Sequence, residues 1–182
     1  MAKIYLVRHG QATAGWGLKI DPGLNDLGRS QAQTAAHKLA PLGPLPILSS
    51  PKARARETAA PLAALWAMRP TIEKRVGEIR FPSETPADRV RWLKLVMVDR
   101  WSNLAPELQQ CRREVIEALL GLVNDTVVFT HFIAINAALS HATQDQRVIS
   151  FRPDNASITI METNGDKLYL VERGQEAETN IN

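Results

Sequence analysis

The sequence predicts an α/β fold: a three-layer α/β/α sandwich around a mainly parallel central sheet. Two observations lead there. Short, almost continuously apolar runs alternate with amphipathic helical patterns, the signature of strands buried on both faces by crossover helices. An alternating pair of segments near the end, "ASITIMET" and "KLYLVE", is joined by "NGD", which reads as a hairpin with an Asn-Gly turn.

Each element follows from the order of residues. The first strand is "KIYLV" at 3–7. A Gly-containing loop over 10–24 ends in "DPG" and leads into a helix from about Leu27 to Ala40, with Ala32, Ala35, Ala36 and Leu39 on one face and Asn25 or Asp26 as cap. The second strand is "LPILSS" at 45–50. Ser50 suits the N-cap of the next helix and Pro51 its first position, with Ala55, Ala59, Leu62 and Trp66 on one stripe. A short strand, "TIEKRV" at 71–76, follows. The segment 80–104 carries Val90, Trp92, Leu93, Leu95, Val96, Met97, Val98 and Trp101, a helix apolar on most faces. It reads as a cap or insertion packed over the sheet end, or as a face that meets a partner chain. Residues 105–122 form a helix with Leu108, Cys111, Val115, Ala118 and Leu122 inward. The strand "DTVVFT" at 125–130 then feeds "FIAINAAL", so uniformly apolar that it must be buried. The last ten residues read as frayed. The whole of 1–182 is expected to form a single domain.

Composition narrows the function. With 45% apolar and 23% charged residues the chain is an ordinary globular protein. Twenty-two basic against 19 acidic residues leave a net charge of only +3, too little for a nucleic-acid surface. The single cysteine, Cys111, excludes an internal disulfide and a cysteine-based zinc cluster. No signal-type apolar region opens the chain, and no run approaches the ~18 residues of a membrane span. A cytoplasmic protein without a membrane or nucleic-acid partner is the expectation; a homodimer is left open.

The strand ends carry the chemistry. In an open parallel sheet, ligands collect at the carboxyl ends of strands. The first strand ends in Arg8-His9-Gly10, the second in Ser49-Ser50 with Arg54 on the following helix, and the strand at 125–130 in Thr130-His131. Parallel neighbours would bring two histidines and two arginines to one edge, a site for an oxyanion such as phosphate. Gly10 would let the backbone approach that anion. A bare anion site needs no imidazole, whereas a neutral imidazole can attack phosphorus and form a phosphohistidine. A proton donor is then required, and Glu78 in "VGEIRF" is the best placed acid, with Glu84 behind it and Glu73 third.

The motifs "LVRHGQA", "SSPKARARETA", "GEIRF" and "VVFTHF", in this order, with "LNDLGRSQAQTAA" as the first helix, resemble the histidine phosphatase superfamily, also called the phosphoglycerate mutase-like family. The resemblance covers most of the chain and is weakest at 80–104 and the tail. It implies a phosphoglycerate mutase-like fold. It assigns His9 as the phosphorylated nucleophile, Arg8 and Arg54 as phosphate ligands, His131 as hydrogen-bond donor to the phosphoryl group and Glu78 as proton donor. It implies no metal and no organic cofactor. Many members carry glycines after the second histidine. Here Phe132 and Ile133 stand there, and Phe132 is expected to shape the pocket wall. Phe81 is followed by Pro82 where the family often has Gly. Family mutases are usually longer, so hydrolysis of a small phosphomonoester is the expected activity. A mutase-type phosphotransferase, a phosphohistidine-protein phosphatase acting on a phosphoprotein, and a non-catalytic phospho-ligand module are the alternatives. Specificity is expected from 11–24 and 80–104, where Arg80 is a candidate for a second anionic group.

Overall fold

A computed structural model describes residues 1–15, 19–80 and 85–177. Its sheet has six strands: β1 (Ala2–Arg8), β2 (Ile47–Ser49), β3 (Thr71–Ile72), β4 (Thr126–Thr130), β5 (Ile158–Thr163) and β6 (Leu168–Glu172). Their order is β3-β2-β4-β1-β5-β6. The first four in this order are parallel, and β5 and β6 form the antiparallel hairpin.

Two helical layers cover the sheet. Successive residues of a strand face opposite sides, and β1 and β4 obey this strictly. Tyr5, Val7, Val127 and Phe129 pack with α1 (Asp26–Leu39) and α2 (Ala53–Leu65). Ile4, Leu6 and Val128 pack on the other side with α3 (Pro86–Met97), α4 (Pro106–Leu120) and α5 (Phe132–Thr143). Asn25 caps α1, accepting from the Gly28 N–H at 2.8 Å. Helix α5 is buried from Phe132 to Ser140, as its unbroken apolar run requires. In the segment 80–104, Leu93, Val96, Trp101 and Leu104 join the α4–α5 core, while Leu95 and Val98 face solvent. Its apolar stripe is therefore packing in the main. Among the described residues no helix is long and apolar enough to cross a membrane.

Several boundaries depart from the sequence reading. Helix α2 starts at Ala53 with Lys52 as its cap, not at Pro51 behind Ser50. The Ser50 hydroxyl is instead drawn to His131 and accepts the Lys52 N–H. The strand read at 71–76 lasts two residues before a 3-10 turn at Lys74–Val76, because the Glu73 carboxylate turns back onto the Arg75 N–H. Residues 173–177 are tied down rather than frayed: Glu176 pairs with Pro153, and Ala177 N–H bonds Arg152 O at 2.9 Å. The remainder of the tail, 178–182, and Phe81, Pro82 and Glu84 lie outside the described residues.

The loop after β1 is docked by its two ends. Ala12 bridges Leu24, Thr13 N–H bonds Gly23 O at 2.9 Å, and Asn25 N–H bonds Gln11 O at 3.0 Å. Gly10 and Gly28 make the docking possible. A Cβ on Gly10 would lie 2.5 Å from Gly28 O, and one on Gly28 would lie 2.1 Å from Gln11 O. Helix propensity alone favours Ala over Gly at 28 by about 1 kcal/mol. Overpacking against fixed backbone costs about 1–3 kcal/mol, so the clash wins. Gly28→Ala is expected to lower the midpoint of thermal unfolding by a few degrees; a raised midpoint would show that α1 and the loop separate freely.

Candidate active site

Strand register brings the motif residues to one edge. Arg8 pairs with Thr130 across β1 and β4, and Ser49 with Phe129 across β2 and β4. The ladder runs one residue further, with His9 N–H on Thr130 O and Ser50 N–H on Phe129 O, both at 3.0 Å. His9, Ser50 and His131 thus leave three adjacent strands with fixed backbones. The His9 carbonyl accepts from the Asn155 side chain at 3.1 Å, which braces it from the far side.

His9 is 3% exposed. Its Nδ1 lies 2.8 Å from Gly10 O. A carbonyl only accepts, so Nδ1 carries the hydrogen and Nε2 the lone pair. Arg54 Nε donates to that Nε2 at 3.1 Å. Burial first, then the charges of Arg54 and Arg8, push the imidazole pKa well below its ordinary value, so His9 is neutral at physiological pH.

His131 is fully buried, its ring centroid 5.2 Å from that of His9 in an edge-on arrangement. Its Nε2 is 2.7 Å from Ser50 Oγ. Its Nδ1 faces Glu78 Oε2 at 3.9 Å, beyond hydrogen-bond range, and neither atom has a hydrogen-bond partner among the described residues. Burial, again ahead of the surrounding cations, holds His131 well below its ordinary pKa, so the pair is not an ion pair. The Glu78 carboxyl is 3% exposed and accepts the Ile79 N–H at 3.1 Å. Burial drives its pKa up to about 7 against the opposing pull of Arg54, that hydrogen bond, Arg8 and Lys52.

Arg8 donates to Pro153 O at 2.8 Å and lies over the Phe132 ring, 5.1 Å from its centroid. Its Nε is buried without a hydrogen-bond partner among the described residues. Burial lowers its pKa to about 10, which leaves it charged. His9, Arg54 and Glu78 line one cavity of about 300 Å³, together with Lys19, Lys52, Arg80 and Arg89. Glu78 is the only acidic residue among the described residues that line it. Among the described residues no group of His, Cys, Asp and Glu is arranged to hold a metal ion.

The structure gathers Arg8, His9, Arg54, Glu78 and His131, and alters the part of two further residues. Gly10 offers no free N–H to an anion: that N–H donates to Thr58 Oγ1 at 3.0 Å and the carbonyl serves His9. Its lack of a side chain serves the approach of Gly28. Phe132 does not wall the cavity; its ring is 2% exposed and lies beneath the Arg8 guanidinium. Glu73 is turned onto Arg75, with oxygens 3.0 and 2.7 Å from the guanidinium. Sequence reasoning missed Ser50 as the partner of His131, Thr58 as the tie between α2 and Gly10, and Lys52 as a cavity residue. A Ser-Ser pair before a helix reads as a cap, and only the fold reveals the histidine beside it.

Comparison with known proteins shows the family of the chain. The model of the histidine phosphatase superfamily (branch 1) matches residues 4–176. Over 82 residues, 42% of this chain, the sequence is 43% identical to a PE-PGRS family protein of Mycobacterium tuberculosis, of which the match covers 14%. Over 140 residues, 69% of this chain, it is 31% identical to a glucosyl-3-phosphoglycerate phosphatase of Mycolicibacterium vanbaalenii, of which the match covers 60%. The chain therefore spans less than two thirds of the length of these curated relatives. A mycobacterial glucosyl-3-phosphoglycerate phosphatase solved with VO3 shares the fold, with a TM-score of 0.76 at 22% identity over 97% of this chain and 100% of that one. The family model spans both strand-end histidines, both arginines and the buried glutamate, and this chain belongs to the histidine phosphatase superfamily.

Proposed function

We propose that the protein hydrolyses phosphomonoesters through a covalent phosphohistidine on His9. The observation that carries this reading is the tautomer of His9: the Gly10 carbonyl fixes the hydrogen on Nδ1 and leaves the lone pair on Nε2, where it accepts from Arg54 Nε until a phosphoryl group draws that guanidinium to its oxygens. Arg8, Arg54 and His131 hold the phosphoryl oxygens and stabilise their charge as it shifts in the transition state. Nε2 attacks phosphorus in line, the P–O bond breaks, and the Glu78 carboxyl gives its proton to the departing oxygen. Glu78, now a carboxylate, takes a proton from the water that attacks the phosphohistidine. The P–N bond breaks, phosphate leaves and His9 returns to its neutral form. A carboxyl held near pH 7 inside the cavity suits an ester with a poor leaving group and is superfluous for a phosphoramidate, which favours esters over phosphohistidine proteins.

The substrate we favour is a small molecule that bears negative charge beyond its phosphate. Lys19, Lys52, Arg80 and Arg89 share the cavity with the phosphoryl-binding groups, and the related Mycolicibacterium protein is named for a phosphoglycerate derivative. The deciding experiment is intact-mass spectrometry after rapid quench with paired esters, phosphorylated hydroxy acids beside uncharged alcohol esters. Wild type is expected to gain one phosphoryl group and release phosphate, faster with the hydroxy acids, while His9→Ala does neither. Phosphoryl transfer to a second hydroxyl without release would indicate a mutase; an absence of adduct and phosphate with every ester would indicate a binding module.

Glu78 yields two further expectations. For wild type, kcat/KM on an alkyl phosphate should fall as pH rises through about 7, the folded pKa of Glu78. An activated aryl phosphate, which needs no proton, should lack that limb, and Glu78→Gln should slow the alkyl ester far more than the aryl one. Equal loss on both esters would remove Glu78 from the acid role.

The second expectation concerns stability. Between pH 4.5 and about 7 the folded protein binds a proton that the unfolded chain has released. Stability therefore declines as pH rises through that window. The shift corresponds to about 3 kcal/mol at most. Glu78→Gln is neutral throughout. Its unfolding midpoint should exceed that of wild type at about pH 8, with the advantage gone below the unfolded-state pKa. An advantage independent of pH would contradict the buried, proton-binding carboxyl.

A further inference from the structure

Both histidines are neutral, yet they must do opposite things: one presents a lone pair and the other a hydrogen. The Gly10 carbonyl explains His9. Nothing so simple explains His131, whose Nε2 meets a hydroxyl able to donate or accept. Counting hydrogens resolves it. Ser50 Oγ receives the Lys52 N–H at 3.3 Å, so one of its lone pairs is occupied. Its own hydrogen needs an acceptor, and among the described residues the acceptor in reach is His131 Nε2 at 2.7 Å. Were Nε2 protonated instead, two groups inside the protein would be left unpaired, the hydrogen of a fully buried serine and the Nδ1 lone pair, against a single one, the Nδ1–H, in the other arrangement. A hydroxyl donating to Nε2 puts the ring hydrogen on Nδ1, which faces the Glu78 carboxyl oxygen at 3.9 Å and has no hydrogen-bond partner among the described residues.

We propose that Ser50 is a positioning residue that sets the tautomer of His131, so that His131 presents Nδ1–H to the reaction site. Its consequence for catalysis rests on the phosphatase reading: the Nδ1–H is the donor offered to the phosphoryl oxygens. The two imidazoles then share one tautomer and show opposite edges. His9 turns its Nε2 lone pair inward and His131 its Nδ1–H, which bars His131 from competing as nucleophile or base. Gly10 O and Ser50 Oγ make that division of labour.

Long-range ¹H–¹⁵N correlation spectra of the uniformly labelled, full-length protein distinguish protonated from bare ring nitrogens. The expected result is Nδ1–H with bare Nε2 for His131 in wild type, kept in Ser50→Thr, and a shift toward Nε2–H in Ser50→Ala. On an alkyl phosphate, Ser50→Ala is expected to lose about ten- to a hundredfold, mainly in kcat, short of the roughly 10²–10³ of deleting an oxyanion donor outright. A protonated Nε2 in wild type overturns the assignment and needs no variant to fold. So does an unchanged Nδ1–H in folded Ser50→Ala. Wild type that shows Nδ1–H but neither forms an adduct nor releases phosphate supports the role of Ser50 while refuting the phosphatase reading.

Discussion

The site depends on the parallel register of β1, β4 and β2. Two backbone hydrogen bonds past the ends of the strands, His9 to Thr130 and Ser50 to Phe129, hold three consecutive exits level. A slip of one residue in any of these strands would turn its side chains to the other face. Ile4 and Leu6 would lose the α4–α5 core and Tyr5 and Val7 the α1–α2 core. The register that buries the two cores is thus the register that brings His9 beside His131. Packing and chemistry are specified by one set of apolar residues.

Desolvation then sets the protonation states. Burial is the largest influence on His9, His131, Glu78, Arg8 and Arg54 alike, and it acts in opposite directions on acids and bases. Two imidazoles become neutral and a carboxyl retains its proton near pH 7, while the arginines have enough reserve to stay charged. The same removal from water that costs stability leaves two uncharged imidazoles beside an uncharged carboxyl that has one proton to give. Arg8 Nε, Glu78 Oε2 and His131 Nδ1 are buried polar atoms left over at this edge, without hydrogen-bond partners among the described residues.

Much of this was legible in the sequence because its signals are local. Strand β4, the buried run of α5 and the Asn-Gly hairpin follow from apolar pattern and turn chemistry, and the three strand ends name the histidines and arginines. What the sequence could not convey depends on contacts between distant segments. Ser50 looked like a cap since nothing nearby in sequence announces a histidine 81 positions on. Gly10 looked like an anion contact because its true neighbour, Gly28, lies across a loop. Phe132 looked like a wall because its direction depends on where Arg8 lies. Even the tail looked loose, since its anchors at 152–154 belong to a different loop.

The stem that closes the loop after β1 has a consequence for how such a protein changes over generations. Ala12 with Leu24 and Thr13 with Gly23 pin both ends, while Lys19 and Ile20 from the enclosed segment reach the cavity. Closing a longer or shorter loop over a fixed stem changes its entropy only slowly with length. Asp21, between the same pins, accepts the Ala53 N–H at 2.9 Å and so ties the loop to the start of the helix that carries Arg54. Lys19 and Ile20 are the positions where exchange would retune the cavity while the histidines and the glutamate keep their own elements.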